Sequence, residues 1–132
     1  MKVFLDANVL FAASNPASST AQLVDLLVNG STAVTCDFAL AEATRNVQIK
    51  WSARAGNLAK LMENIEVVAA VQFALPVKLA AEEVPILCSA LRSRCSHLAT
   101  GDRRDFGHLY DHSVEGVTII ALLRLAELLQ NQ

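Results

Sequence analysis

Five carboxylates in this chain stand at positions from which they could act together. Asp6 directly follows the apolar run "KVFL", and Asp102 follows "HLAT" after one Gly. Asp105 comes three residues later, in "GDRRDF". Glu42 lies in "FALAEATRN", and Glu83, beside Glu82, opens "VPILCSALRSR". Carboxylates gathered in one place repel one another strongly unless a cation fills the space between them. An oxygen-only ligand set of that kind suits Mg²⁺ or Mn²⁺, not zinc. Each residue also has an ordinary structural use. Asp6 could cap the helix beginning "ANVL", since Asp is a favoured N-cap, and Asp102 could cap the turn that Asp105 continues. Glu42 could pair with Arg45 three residues on. Glu82 and Glu83 favour the positive end of the helix they open. What decides between these readings is whether the surrounding elements bring the five carboxylates to one place.

The pattern of the chain supplies such elements. "KVFL" is a short continuous apolar run, as in a strand buried on both faces. "AQLVDLLVNG" has helical spacing and stops at Gly30, a good terminator. "TAVT" reads as a second strand. "FALAEATRNVQIKWSARAGNLAKLMENI" is helical, with a break expected near Gly56-Asn57. "EVVAAV" is a third strand, its length limited by Pro76 downstream. Val84 to Arg94 is helical, with Pro85 in the first turn. "HLA" is a fourth strand and "VTII" a fifth, and "ALLRLAELLQ" closes the chain as an amphipathic helix. Strands separated by helices imply βαβ units and a parallel sheet. The expected fold class is α/β: one three-layer α/β/α domain over residues 1–132, with a central, mainly parallel sheet of four to five strands. In open parallel sheets ligands sit outside the carboxyl ends of the strands. Asp6 and Asp102 both occupy such ends, and they meet if the first and fourth strands are neighbours.

Composition narrows the classes. With 132 residues, 53% of them hydrophobic, the chain can bury a single core. A net charge of −2 gives no global basic footprint for duplex nucleic acid. The opening "MKVFLDANVLFAAS" has one Lys and small residues at its end, but Asp6 interrupts the apolar run, so a secretory leader is not expected. No stretch reaches the roughly 18 uncharged residues of a spanning helix. Cys36, Cys88 and Cys95 are odd in number and lack paired spacing, which suggests neither a disulfide frame nor a zinc site. Three buried thiols in a reducing cytoplasm is the expectation.

Together, "VFLDANVLFAA", "LAEATRN", "EEVPILCSAL" and "HLATGDRRDFG" resemble the PIN-domain nucleases, a family that includes the toxins of VapBC-type toxin–antitoxin pairs. The resemblance spans nearly the whole chain. The family pattern has an Asp ending the first strand, a Glu on a later helix, an Asp one residue before a Pro-Ile-Leu-like segment, and a Thr-Gly-Asp ending the fourth strand with x-x-Asp-Phe after it. By that resemblance the first Asp falls on Asp6, the Glu on Glu42, the last Asp on Asp102, and the tail on Asp105-Phe106. One position departs from the pattern: Glu83 stands where the family usually has Asp. Its extra methylene moves the carboxylate by about an ångström, and displacements of that order can cost on the order of 100-fold in rate.

The resemblance implies a divalent-metal-dependent endoribonuclease acting on single-stranded RNA, with Mg²⁺ or Mn²⁺ as cofactor. Asp6 and Asp102 would be the principal ligands, with Glu42 and Glu83 as ligands directly or through water and Asp105 as an outer ligand. Asn8 and Thr100 would position water or phosphate. Arg45, Arg103 and Arg104 would bind phosphate, to which guanidinium forks are suited. His97, His108 and His112 have no counterpart in the pattern. An antitoxin partner, a homodimer and a cytoplasmic location are further expectations, and no membrane association is expected. Two other classes fit less well. A haloacid-dehalogenase-type phosphatase needs a second acid two residues after the first, where Asn8 stands. A non-catalytic PIN-like module binding RNA or a protein partner is the alternative that Glu83 permits.

Overall fold

The side chains of Val3, Phe4 and Leu5 are all 0% exposed. Three successive strand positions closed to solvent must be covered on both faces. The computed structural model, which describes residues 1–132, shows how. Its strands are β1 (Lys2–Leu5), β2 (Thr32–Cys36), β3 (Glu66–Val68), β4 (His97–Ala99), β5 (Ser113–Val114) and β6 (Val117–Ile120). Its α-helices are α1 (Ala7–Ala13), α2 (Ser19–Gly30), α3 (Asp37–Lys50), α4 (Ala55–Met62), α5 (Val84–Arg92), α6 (Arg103–Phe106) and α7 (Leu122–Gln130). Short 3₁₀ turns cover Ser52–Arg54, Ala81–Glu83 and Gly107–Leu109.

The six strands form one sheet in the order β3-β2-β1-β4-β6-β5, parallel throughout except for β5. The chain leaves β1 toward β2 and β3, then returns to β1's other side with β4. This reversal is the switch point at which doubly wound sheets open a crevice. The register pairs Leu5 with Ala99, so the residues after these two strands emerge side by side. A single cluster of 31 buried residues fills the interior between sheet and helices in a three-layer α/β/α arrangement.

Three local readings of the sequence are corrected. The sheet has six strands, not four to five, because Ser113–Val114 folds back antiparallel on β6 through Glu115 and Gly116, both at positive φ (51° and 94°). That is the backbone that closes a two-residue hairpin, and a two-residue strand shows no periodicity to read. The long helical stretch breaks at Trp51, not at Gly56-Asn57. Trp51 leaves the helix (φ −150°, ψ 68°), and its indole packs on Phe11 of α1 with ring centroids 5.5 Å apart. An aromatic contact across elements therefore marks the boundary, and Gly56 lies inside α4 with nothing within 4 Å of where a Cβ would stand. "EVVAAV" is a strand only over Glu66–Val68. Beyond it, side chains of other elements hold the backbone: Ala70 N–H donates to Asp37 Oδ1 (2.9 Å) and Val71 N–H to Ser89 Oγ (3.2 Å).

Candidate metal centre at the carboxyl edge of the sheet

Asp6 begins where β1 ends. It is the N-cap of α1, its Oδ1 accepting from Ala7 N–H at 2.7 Å. The capping use weighed from the sequence is thus real, but it occupies only one of the two carboxylate oxygens. Oδ2 accepts from Thr100 Oγ1 (2.8 Å) and from Asn8 Nδ2 (3.2 Å). Asn8 Nδ2 reaches Thr100 Oγ1 as well (3.2 Å). The two strand ends are further tied by Asp6 N–H donating to Ala99 O (3.2 Å) and Gly101 N–H to Asn8 Oδ1 (2.8 Å). A Cβ on Gly101 would stand 3.3 Å from that Asn8 oxygen, so this close approach favours Gly. Thr100 is fully buried and also accepts from Asp102 N–H (3.1 Å). Asp102 in turn caps α6, its Oδ1 accepting from Asp105 N–H at 3.1 Å.

Three of the carboxylates converge on this edge, and Asp6, expected to be a principal ligand, is not among them, its two oxygens being taken by Ala7, Thr100 and Asn8. Glu83, Asp102 and Asp105 each offer an oxygen within 4.8 Å of the others. Glu83 comes from the 3₁₀ turn that leads into α5, where Pro85 holds the first helical turn. From there the longer Glu side chain does reach the cluster. It is only 7% exposed, and its Oε2 is buried with no hydrogen-bond partner. Glu42, half-buried on α3, lines the same cleft of about 430 Å³ together with Asn8, Phe11, Asn46, Lys50, Glu82, Glu83, Asp102 and Asp105.

The charges act on one another accordingly. Burial pushes Glu83 from 4.5 up to about 9, with the negative fields of Asp6, Asp102, Glu42 and Asp105 adding to it. Asp6 is also raised, by burial first and then by Glu42 and Asp102, while the bonds from Thr100 and Ala7 pull it back. Asp105 is raised by partial desolvation first and then by Asp102. A carboxyl kept neutral by burial first and by its acidic neighbours second, and left with an unpartnered oxygen, lacks a countercharge. A divalent cation supplies one, and hard oxygen donors are the chemistry that Mg²⁺ and Mn²⁺ take. The residues present therefore fit such an ion.

Of the other residues singled out in the sequence, Asn8 and Thr100 lie at the centre of the hydrogen-bond network. Arg45, Arg103 and Arg104 are exposed and are not among the side chains lining the cleft. His108 and His112 are exposed, and His97 is partly buried at the edge of the core. Sequence reasoning passed over Asn46 and Lys50, which follow Glu42 at i+4 and i+8 and so share its helix face, a spacing that could have pointed to them. It also passed over Tyr110, whose Oη donates to Thr100 O (2.9 Å) and braces the loop after β4.

No protein-family model matches the sequence, and no curated protein matches it. Solved structures do. A chain of VapBC2 from Rickettsia felis, bound to a DNA fragment from their promoter, superimposes with a TM-score of 0.66 over 92% of this chain and 98% of that one, at 15% identity. VapC20 of Mycobacterium tuberculosis, a sarcin-ricin loop cleaving toxin, gives 0.57 over 77% of this chain and 91% of that one, at 9% identity. Identities this low speak to architecture alone, and on that footing the chain has the PIN-domain fold of the VapC toxin structures.

Proposed function

We propose that this protein is a divalent-metal-dependent endoribonuclease that hydrolyses phosphodiester bonds of single-stranded RNA, and that it serves as the toxin of a toxin–antitoxin pair. The observation that carries the reading is the burial of Glu83 beside Asp102 and Asp105 with an oxygen lacking any partner. That arrangement costs stability on its own and makes chemical sense as an ion site. It is supported by the likeness of fold to VapC20, a toxin that cleaves the sarcin-ricin loop.

In this reading Glu83, Asp102 and Asp105 hold Mg²⁺ or Mn²⁺, with Asp6 and Glu42 completing the set directly or through water. When bound, the ion supplies a water of lowered pKa and positive charge against the phosphate oxygens. The protein's own groups do the positioning. Thr100 and Asn8 fix the Asp6 carboxylate from one side while Ala7 N–H fixes it from the other. The Asp102 cap of α6 sets the spacing of Asp102 and Asp105. Lys50, on the wall of the cleft, offers a cation to the substrate's phosphates. An antitoxin segment, a homodimer, a single domain over residues 1–132 and a cytoplasmic location belong to the same proposal. The VapBC2 likeness supports the first of these.

The test is cleavage of single-stranded RNA by purified protein with Mg²⁺ or Mn²⁺, its loss in EDTA, and the response to Asp102→Asn. Asn is itself a good cap, so the variant keeps the fold of α6. Cleavage should nevertheless fall by at least about 100-fold, as expected for a group acting on the reacting centre. Asp102→Asn protein that cleaves at the wild-type rate refutes the site. Absence of both cleavage and any metal-dependent rise in Tm replaces the nuclease reading with that of a binding module.

A further inference from the structure

Between Glu42 and Glu63 the chain changes character. Residues 43–62 hold four of its 11 Lys and Arg (Arg45, Lys50, Arg54 and Lys60) and none of its 13 Asp and Glu. In a protein of net charge −2 this is a local basic stretch, and it runs away from the acidic cluster along α3 and over the break that follows. At that break stands Trp51, the one tryptophan of the chain and 48% exposed. The Arg54 guanidinium lies over the indole, 4.3 Å from its centroid. Phe11 packs against the same indole at 5.5 Å and 36°, and Lys50 Nζ lies 5.6 Å from the Phe11 ring centroid. Phe11 and Lys50 also line the acidic cleft, so the aromatic group and the carboxylates share one continuous wall.

A large aromatic ring left half in water, flanked by cations and continuous with a cleft, is the combination by which single strands are held. Bases stack on the ring whatever their identity, and cations track the backbone. The guanidinium on the indole marks the face a planar group takes, and a guanidinium is itself a fork for phosphate. We infer that Trp51 is a stacking platform for an unpaired base of the nucleic-acid strand entering the cleft, with Arg54 and Lys50 on the flanking phosphates. A base entering the stack displaces the Arg54 guanidinium, which turns to the adjacent phosphate. From Glu42 to Lys50 the helix rises about 12 Å, which corresponds to roughly 2 to 4 nucleotides of strand between the carboxylates and the platform. The platform thus fixes which phosphate reaches the acids. The inference rests on the nuclease reading for its substrate class, but not for its test.

The test uses the full-length protein in EDTA, where hydrolysis is silent. The probe is a single-stranded RNA of about 12 nucleotides, within the span such sites cover, beside an abasic strand of equal length. All indole emission comes from Trp51. The base-bearing strand should quench it saturably, and the abasic strand should leave it unchanged. By anisotropy of a labelled strand, Trp51→Phe should bind within about threefold of wild type and Trp51→Ala about tenfold more weakly, the range of one lost stacked base. Arg54→Gln should weaken binding and flatten its salt dependence by about one counterion. Strand binding without change in Trp51 emission, equal quenching by the abasic strand, or no binding at low salt each overturns the platform. Quenching with no cleavage under any metal condition sinks the nuclease reading and leaves the platform standing, and cleavage with silent Trp51 does the reverse.

Discussion

Replacing Glu83 by Gln in metal-free protein is expected to stabilise the fold, by an amount that grows with pH. The wild-type carboxyl binds its proton up to about pH 9 when folded, against 4.5 when solvated. Across that window the folded state carries more protons than the unfolded one, so stability falls as pH rises. Protonated Glu83 favours folding fully below pH 4.5, and that advantage is lost as the pH climbs toward about 9. The loss accrues at about 1.4 kcal/mol per pH unit, reaching about 3 kcal/mol at pH 7 as an upper bound. Rotation of the side chain and entry of water reduce it, so about 1–3 kcal/mol is expected at neutral pH. Gln keeps the shape, carries no charge and can donate to its acidic neighbours, so its stability should not follow this slope. Urea unfolding in EDTA from pH 5 to 8.5 measures it. The two proteins should lie within about 1 kcal/mol at pH 5 and diverge above, with Glu83→Gln the more stable. Parallel curves across this range would mean that Glu83 ionises without cost and that the cluster needs no cation to balance it.

Three further outcomes follow from the same geometry. Thr100→Val keeps the volume but removes the hydroxyl that serves Asp6 Oδ2, Asn8 and Asp102 N–H, so urea unfolding should show a loss of about 1–3 kcal/mol. Mn²⁺ or Mg²⁺ binding at pH 7 should release protons, because Glu83 is protonated beforehand. Calorimetry in buffers of different ionisation enthalpy would show this, and identical heats in all buffers would contradict it. Phe106→Ala should cost about 3–5 kcal/mol in urea unfolding, since Phe106 is fully buried beneath the turn that carries Asp102 and Asp105.

Much of the site could be read from the chain because of a simple exclusion. A strand buried on both faces admits no charge, so a carboxylate placed just after "KVFL" or "HLAT" must emerge at the sheet's carboxyl edge. The alternation of apolar runs and helical stretches set the fold class for the same reason: strands and helices bury their faces at different periods. The adjacency of those edges was another matter. Phe4 pairs with Leu98 and Leu5 with Ala99, partners from distant parts of the chain, and no local pattern encodes that choice.

The break at Trp51 was hidden for a related reason. A helical pattern continues through it, and the indole that leaves α3 there packs on Phe11, from a different helix. Lys50 and Asn46 look like ordinary polar helix positions until the cleft lies against their face. Arg45, one position before Asn46 on the same helix, points elsewhere and stays in solvent. The sequence by itself determined that Asp6 and Asp102 reach the edge of the sheet, because burial forbids them anywhere else along those strands. Only the tertiary structure decided which strands stand side by side and which helix face closes over them, because both depend on packing between elements distant in the chain.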